Sequence, residues 1–370
     1  MQIIVNRNDL NQAVSITSKA SSSKDLLEVL GGLLLEVSDN ILTITGSNLD
    51  LSIQAHIECE TEEEGSVILP APVFSDIVRK ADVENISIKV DYNNYRTSIS
   101  GDRFKMELAG LPGIEFPEVT SGDYEKGFSI SSDLLATMLN YTVYAAAKDD
   151  MRPIFTGILM ELKEDEITIS ATDGFRITSI TRDILYKGPN KRIVLPGNNA
   201  HEILRLIQSS DTEEVIFNFG SGQVALNIDG IKVYSKLIEG QYPDIIQYLP
   251  NDYHSNMQVS RSSLDQSLER ASLIVRDVKK GVVNLNCVND TLTVNARATD
   301  LGQHTEIIAV EMKGQEIKVS FTLRYLRELV KHNEDDKLVM QFAEKYNMLV
   351  AKPEKDERCF SLLMPVAGRD

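Results

Sequence analysis

Three stretches of this chain are variants of one pattern: VNRNDLNQAVSIT at residues 5–17, ISSDLLATMLNYT at 130–142 and VSRSSLDQSLERA at 259–271. In each, an aliphatic residue ends a strand-like run and a short polar segment suited to helix capping follows. A leucine and a second aliphatic then recur four residues apart. These pairs are Leu10 and Val14, Leu135 and Leu139, Leu264 and Leu268. Residues i and i+4 of a helix project to the same side, so each pair marks a buried face.

The repetition extends outward from there. GLLLEVSDNILTITGSN (32–48) matches GILMELKEDEITISATD (157–173), again 125 residues on, and GVVNLNCVNDTLTVNARATD (281–300) has the same character. Each reads as two alternating strands joined by a polar turn. A third set, VILPAPVFSDIVRKA, IVLPGNNAHEILRLI and IKVSFTLRYLRELVK, reads as strand, break, then a helix with an apolar stripe. The stripes are Phe74/Ile77/Val78, Ile203/Leu204/Ile207 and Leu326/Leu329/Val330. Strand pairs close the units at GLPGIEFPEV, EGQYPDIIQYLP and CFSLLMPV.

The spacing therefore predicts an α+β chain of three similar domains, 1–125, 126–252 and 253–370, each a doubled β-α-β-β-β half-unit. Polar, turn-rich segments at 124–127 and 251–256 mark the boundaries. Six helices are expected, over 8–24, 72–81, 131–148, 198–209, 261–280 and 322–333.

Composition narrows the function. The first residues, MQIIVNRNDLNQ, carry no basic segment followed by an apolar run, so no export leader is expected. No apolar run approaches the length of a membrane span. Three scattered cysteines, Cys59, Cys287 and Cys359, each in a strand-like run, fit idle thiols in a reducing cytoplasm. The five histidines do not pair at metal-ligand spacing. A net charge of −17 argues against nucleic acid only if it is evenly spread. It is not: the six helical segments together are weakly positive, and the strands and loops carry the acid. DNA would be drawn to a helical face and repelled elsewhere.

This triplicated pattern closely resembles the β subunit of bacterial DNA polymerase III, the sliding clamp. The likeness runs over essentially the whole chain and is carried by ATDGFRI in the second repeat, EGQYPD later in it and LLMPV near the C-terminus. It implies helices lining the inside and sheets forming the outside of a ring closed by two chains head to tail. Double-stranded DNA would thread it without sequence readout, and the replicative polymerase, clamp loader and other proteins would dock through short linear peptides. The implied role is non-catalytic, cytoplasmic and replisome-associated, with no cofactor, metal or membrane.

Residue by residue, the resemblance places a peptide pocket at Phe155, Thr172, Gly174, Phe175, Arg176 and Ile177, with Pro243, Gln247 and Tyr248 from the following loop. Leu362, Leu363, Met364, Pro365 and Val366 would complete it, Met364 as an adaptable apolar surface and Arg176 as an orienting donor. Lys24, Lys148 and Arg152 align with or lie near DNA-facing positions, and the helical cations Arg79, Lys80, Arg205, Arg270 and Arg276 join them. Ring closure would use Arg103, Lys105, Met106 and Leu108 of an edge strand against Leu273 and Ile274. Departures bear on peptide preference: Phe175 stands where histidine is common and Gln247 where some members have arginine.

Taken without the resemblance, ATDGFRIT is a hairpin turn. Two other readings stay open. One is a repeat-built metal hydrolase using Asp173 with Asp149 and Asp150; the other is a clamp-like regulator that binds partners as a monomer.

Overall fold

The computed structural model describes residues 1–21, 27–119, 124–149, 151–275, 281–298, 300–344 and 347–367. Among the described residues there are six α-helices: α1 (Arg7–Thr17), α2 (Ala71–Lys80), α3 (Ser132–Thr142), α4 (Gly197–Gln208), α5 (Arg261–Ile274) and α6 (Leu323–Lys331). The first helix of a repeat starts where the sequence places its cap. The Asn6 side chain accepts the amides of Asn8 and Asp9, and Ser260 Oγ accepts that of Ser263. The leucine and aliphatic pairs of α1, α3 and α5 are all buried.

Three helices are shorter than their patterns suggest. α1 ends at Thr17 rather than 24, α3 at Thr142 rather than 148, and α5 at Ile274 rather than 280. In α1 and α3 the cause is the same. Thr17 and Thr142 are buried, and each hydroxyl donates to the carbonyl four residues back, at 2.8 Å in both. Such back-bonding competes with helix propagation. α5 ends at Ile274, where Val275 leaves helical geometry at φ −93° and ψ 84°.

The chain forms two compact units, Met1–Ala136 with Asn198–Leu237, and Thr137–Gly197 with Ile238–Asp370. The first holds a nine-stranded antiparallel sheet, in order Leu111–Pro112, Gly65–Pro70, Gly32–Ser38, Ile41–Ser47, Leu51–Glu58, Ile231–Lys236, Gln223–Ile228, Glu214–Gly220 and Glu125–Ser131. A five-stranded sheet accompanies it: Glu60–Glu63, Gln2–Asn6, Asn85–Asp91, Arg96–Gly101 and Phe104–Ala109. α1 and α2 pack together over a core containing Ile3, Leu33, Ile44, Phe74 and Ile88.

The second unit repeats this plan. Its nine-stranded sheet runs Lys191–Pro196, Gly157–Lys163, Glu166–Thr172, Arg176–Asp183, Cys359–Leu363, Leu349–Pro353, Lys337–Ala343, Tyr253–Ser260 and Glu311–Gly314. A four-stranded sheet runs Gly302–Ala309, Thr291–Ala298, Val282–Val288 and Ile317–Thr322. α5 and α6 pack over Leu285, Val294, Phe321 and Met340.

Each long sheet joins strands of two sequence repeats by direct pairing. Leu51–Glu58 meets Ile231–Lys236 in the first unit, and Arg176–Asp183 meets Cys359–Leu363 in the second. Pairing these edges satisfies backbone groups that would otherwise stay open to other chains. All three cysteines are free and buried. Cys287 and Cys359 are in strands, but Cys59 lies between two strands rather than inside one. Burial pushes the Cys359 thiol up to about 12.

Candidate functional site

The turn at 172–176 links two strands of the second unit and is built from its own side chains. Asp173 Oδ1 accepts the amides of Phe175 at 2.9 Å and Arg176 at 3.2 Å. The Thr172 hydroxyl accepts the Gly174 amide at 3.0 Å and donates to the Arg176 carbonyl at 2.7 Å. Gly174 takes φ +89°, a region that only glycine enters readily. Asp173 Oδ2 then accepts Arg176 Nε at 3.0 Å. The carboxylate is thus fully engaged in holding the turn, and the hydrolase reading loses its central residue.

This turn sends adjacent side chains opposite ways. Phe175 is 63% exposed, whereas Arg176 is 3% exposed. The Arg176 guanidinium donates to Asp173, to the Glu328 carboxylate of α6 and to the Tyr144 carbonyl. Its donors therefore serve the protein's own interior, and its expected part as an orienting donor for a peptide gives way to that of an internal tie.

Beside the turn lies a cavity of about 670 Å³. Eleven of the residues that the sequence nominated for the pocket line it: Phe155, Thr172, Gly174, Phe175, Arg176, Ile177, Pro243, Gln247, Tyr248, Leu362 and Met364. Three do not. Leu363 faces the opposite side of its strand from Leu362 and packs into the α5–α6 core, as strand alternation requires. Pro365 and Val366 line a separate concavity over the four-stranded sheet, where the Val366 amide donates to the Ser320 carbonyl.

Ile177, Ile245, Leu362 and Met364 give the cavity apolar lining, and they belong to or pack against a buried cluster that also holds Leu159 and Tyr242. Tyr242 gives its hydroxyl oxygen to the Thr172 amide at 3.0 Å, and burial holds its pKa far above the ordinary phenol value. The Phe155 ring meets Tyr242 edge-on at 5.9 Å. The Met364 amide donates to the Phe175 carbonyl at 2.9 Å, tying the C-terminal segment to the turn.

Arg152, expected to face DNA, instead lines this cavity, with its guanidinium carbon 5.5 Å from the Phe155 ring centroid. Asp252 and Glu344 add acidic groups to the lining. Ile245, Leu249 and Met348 were not nominated from sequence. The i, i+4 spacing of Ile245 and Leu249 was a usable signal; Met348, between two strands of the third repeat, gave none.

Other nominated cations are paired. Arg79 and Lys80 both reach Asp76, at 2.5 and 3.5 Å, and Arg205 reaches Glu202 at 2.8 Å. Arg270 makes a two-pronged contact with Glu306 at 2.5 and 3.0 Å. Lys148 is exposed, while Lys24, Arg276 and Asp150 lie outside the described residues. Phe104–Ala109 is an edge strand on which Lys105 and Met106 are exposed and Leu108 is half-buried against the core; Arg103 is exposed in the turn before it. Leu273 is 72% exposed on α5 and Ile274 half-buried. Gly302–Ala309 is also an edge strand and exposes Ile307, which the sequence reading missed.

Among the described residues no group of three His, Cys, Asp or Glu side chains is placed to hold a metal ion, and no helix is long and apolar enough to cross a membrane. Repeated α+β units, with a surface cavity walled by a turn whose carboxylate is already engaged, define a non-catalytic scaffold of repeated domains. Family models for the N-terminal, central and C-terminal domains of the DNA polymerase III beta subunit match residues 1–120, 129–244 and 246–367, and the chain belongs to that family. The family's role is that of a sliding clamp in DNA replication, a non-catalytic processivity factor.

Relatives agree in length as well as pattern. The beta sliding clamp of Bacillus subtilis is 27% identical, and that of Staphylococcus epidermidis 25%, each with 99% of both chains covered. The crystal structure of the DNA polymerase sliding clamp from Bacillus subtilis superposes with a TM-score of 0.93 at 26% identity, covering all of both chains.

Proposed function

We propose that two copies of this chain close head to tail into a ring around duplex DNA, and that partner proteins insert short apolar peptides into the cavity beside the 172–176 turn. The domains are those read from the repeats, 1–125, 126–252 and 253–370, and the ring works in the cytoplasm at the replisome. One observation carries ring closure best: two edge strands, Phe104–Ala109 and Gly302–Ala309, each display exposed apolar side chains beside open backbone edges. Strand addition between such edges would bury Met106 and Leu108 against Leu273, Ile274 and Ile307 of a second copy. A C2 pair of this kind forms two identical joints and so closes.

Local pairing of Arg79, Lys80, Arg205 and Arg270 with carboxylates keeps the helical field weak. Weak attraction without fixed contacts suits DNA that must slide. The monomeric regulator makes the opposite prediction about mass. Sedimentation equilibrium down to nanomolar concentration should give twice 41.3 kDa. Chain assembled on nicked circular DNA should stay through gel filtration and leave once the circle is cut. A monomer at all concentrations, or equal retention on cut and uncut DNA, would overturn the ring.

A further inference from the structure

We propose that Glu328 of α6 is a positioning residue for the docking cavity, acting through Arg176; this rests on the reading of that cavity as the peptide site. Glu328 does not line the cavity. It reaches it through a continuous chain of contacts. Its carboxylate pairs with Arg176, Arg176 Nε pairs with Asp173 Oδ2 at 3.0 Å, and Asp173 Oδ1 holds the amides of Phe175 and Arg176. The chain ends on the backbone that aims the exposed Phe175 ring.

Charge explains why the far end matters. One buried guanidinium stands between two carboxylates, Asp173 and Glu328. Glu328 is held from its other side by Arg324, whose Nε lies 3.9 Å from Glu328 Oε1 and has no hydrogen-bond partner of its own. Remove the Glu328 carboxylate, and a buried N–H of Arg176 loses its acceptor. An unsatisfied buried donor is costly, so Arg176 turns towards Asp173, the one carboxylate left. Asp173 Oδ1 already holds two amides of the turn and Oδ2 the Arg176 Nε, so drawing the guanidinium further onto this carboxylate shifts it against those amides. The cavity wall then drifts, with no lining residue changed.

The test uses the full chain and an apolar peptide selected against it by display, labelled with fluorescein. Affinity is read by anisotropy and local order by hydrogen exchange at Gly174–Arg176. Glu328→Ala should weaken the peptide about tenfold and speed exchange in the turn. Glu328→Asp, which keeps the charge, should recover most of the affinity, a rescue that bulk packing would not give. Should the alanine variant fail to fold, Glu328→Gln keeps the shape, removes the charge and should still weaken binding severalfold. Wild-type affinity and exchange in Glu328→Ala or Glu328→Gln, for a peptide that Phe175→Ala and Met364→Ala do weaken, would overturn the proposal. A peptide indifferent to Phe175 and Met364 would instead overturn the docking reading, and the exchange rates would still judge Glu328.

Discussion

The guanidinium carbon of Arg176 lies 4.3 Å from the centroid of the Tyr325 ring, on a helix that begins 147 residues later in the chain. It is also 5.2 Å from the Tyr144 centroid. A cation held over aromatic faces and paired with two carboxylates is stabilised only as a set. Removing one member of a buried pair leaves the other charge uncompensated. Arg176→Ala is therefore expected to lower stability by about 3 kcal/mol, measured by urea unfolding. Arg176→Lys should recover little, because an ammonium cannot reproduce the planar fork. A loss below about 0.5 kcal/mol, the range of ordinary surface substitutions, would show that the cluster is not a structural tie.

Phe175 and Met364 answer a different question. Phe175 is mostly exposed, so its loss should hardly change folding, whereas both side chains line the cavity. In Phe175→Ala with Met364→Ala, the display-selected peptide should bind at least about tenfold more weakly, as for apolar anchors at a hot spot. Sedimentation should show an unchanged oligomer. Undiminished binding would place the peptide elsewhere.

The repeats made most of the fold legible, because a doubled apolar pattern can only be satisfied by doubled elements. Leu10/Val14 and Leu264/Leu268 had to face a core, and they do. Helix ends were not legible, since nothing in a periodicity shows that Thr17 or Thr142 will turn its hydroxyl back onto its own helix. At the site, the lining by Thr172 and by Gly174 to Ile177 followed the motif, but Leu363 did not, because resemblance marks a segment while alternation decides the face. Arg176 is the deeper case. An arginine beside a pocket reads as a ligand contact until its partners are seen, and Glu328 is too remote in sequence to announce itself.

The turn at 172–176 has a counterpart 125 residues earlier. Asn48 Oδ1 accepts the amides of Asp50 and Leu51, at 3.1 and 2.8 Å, and Ser47 Oγ accepts that of Leu49 at 3.1 Å. These bonds repeat those of Asp173 and Thr172. Leu49 therefore occupies the position of Gly174, at φ +71°, and is 42% exposed. An L-residue with a Cβ costs about 1–2 kcal/mol there, and an exposed leucine contributes little packing in return. Against that, glycine gives the unfolded chain more freedom, by less than about 1 kcal/mol. Leu49→Gly should thus stabilise the protein, by about 0.5 kcal/mol, with a higher unfolding midpoint. Destabilisation would mean that the Leu49 side chain has a packing role outweighing its strain.

His332 gives the fold a pH dependence of definite sign. Its ring stacks on Tyr144 with centroids 4.5 Å apart and planes 9° from parallel, and Nδ1 lies 3.3 Å from Asn140 Oδ1. Burial pushes its pKa below the ordinary 6.5; Lys331 and Arg176 act the same way, while Glu328 and a hydrogen bond to the Asn140 backbone oppose them. The unfolded chain takes up the proton as pH falls through about 6.5, whereas the folded chain resists until lower pH. Over that window the unfolded state binds more protons, so stability is complete above it and is lost as pH falls. Urea midpoints should accordingly hold steady from about pH 8 to 7 and fall below about 6.5, before ordinary carboxylates near pH 4 begin to titrate. His332→Gln, which cannot take up the proton, should make the pH 7 to 5.5 part of that curve shallower, leaving the share of His56, whose pKa burial also lowers. Parallel curves for the two proteins would mean that His332 is not the group responsible.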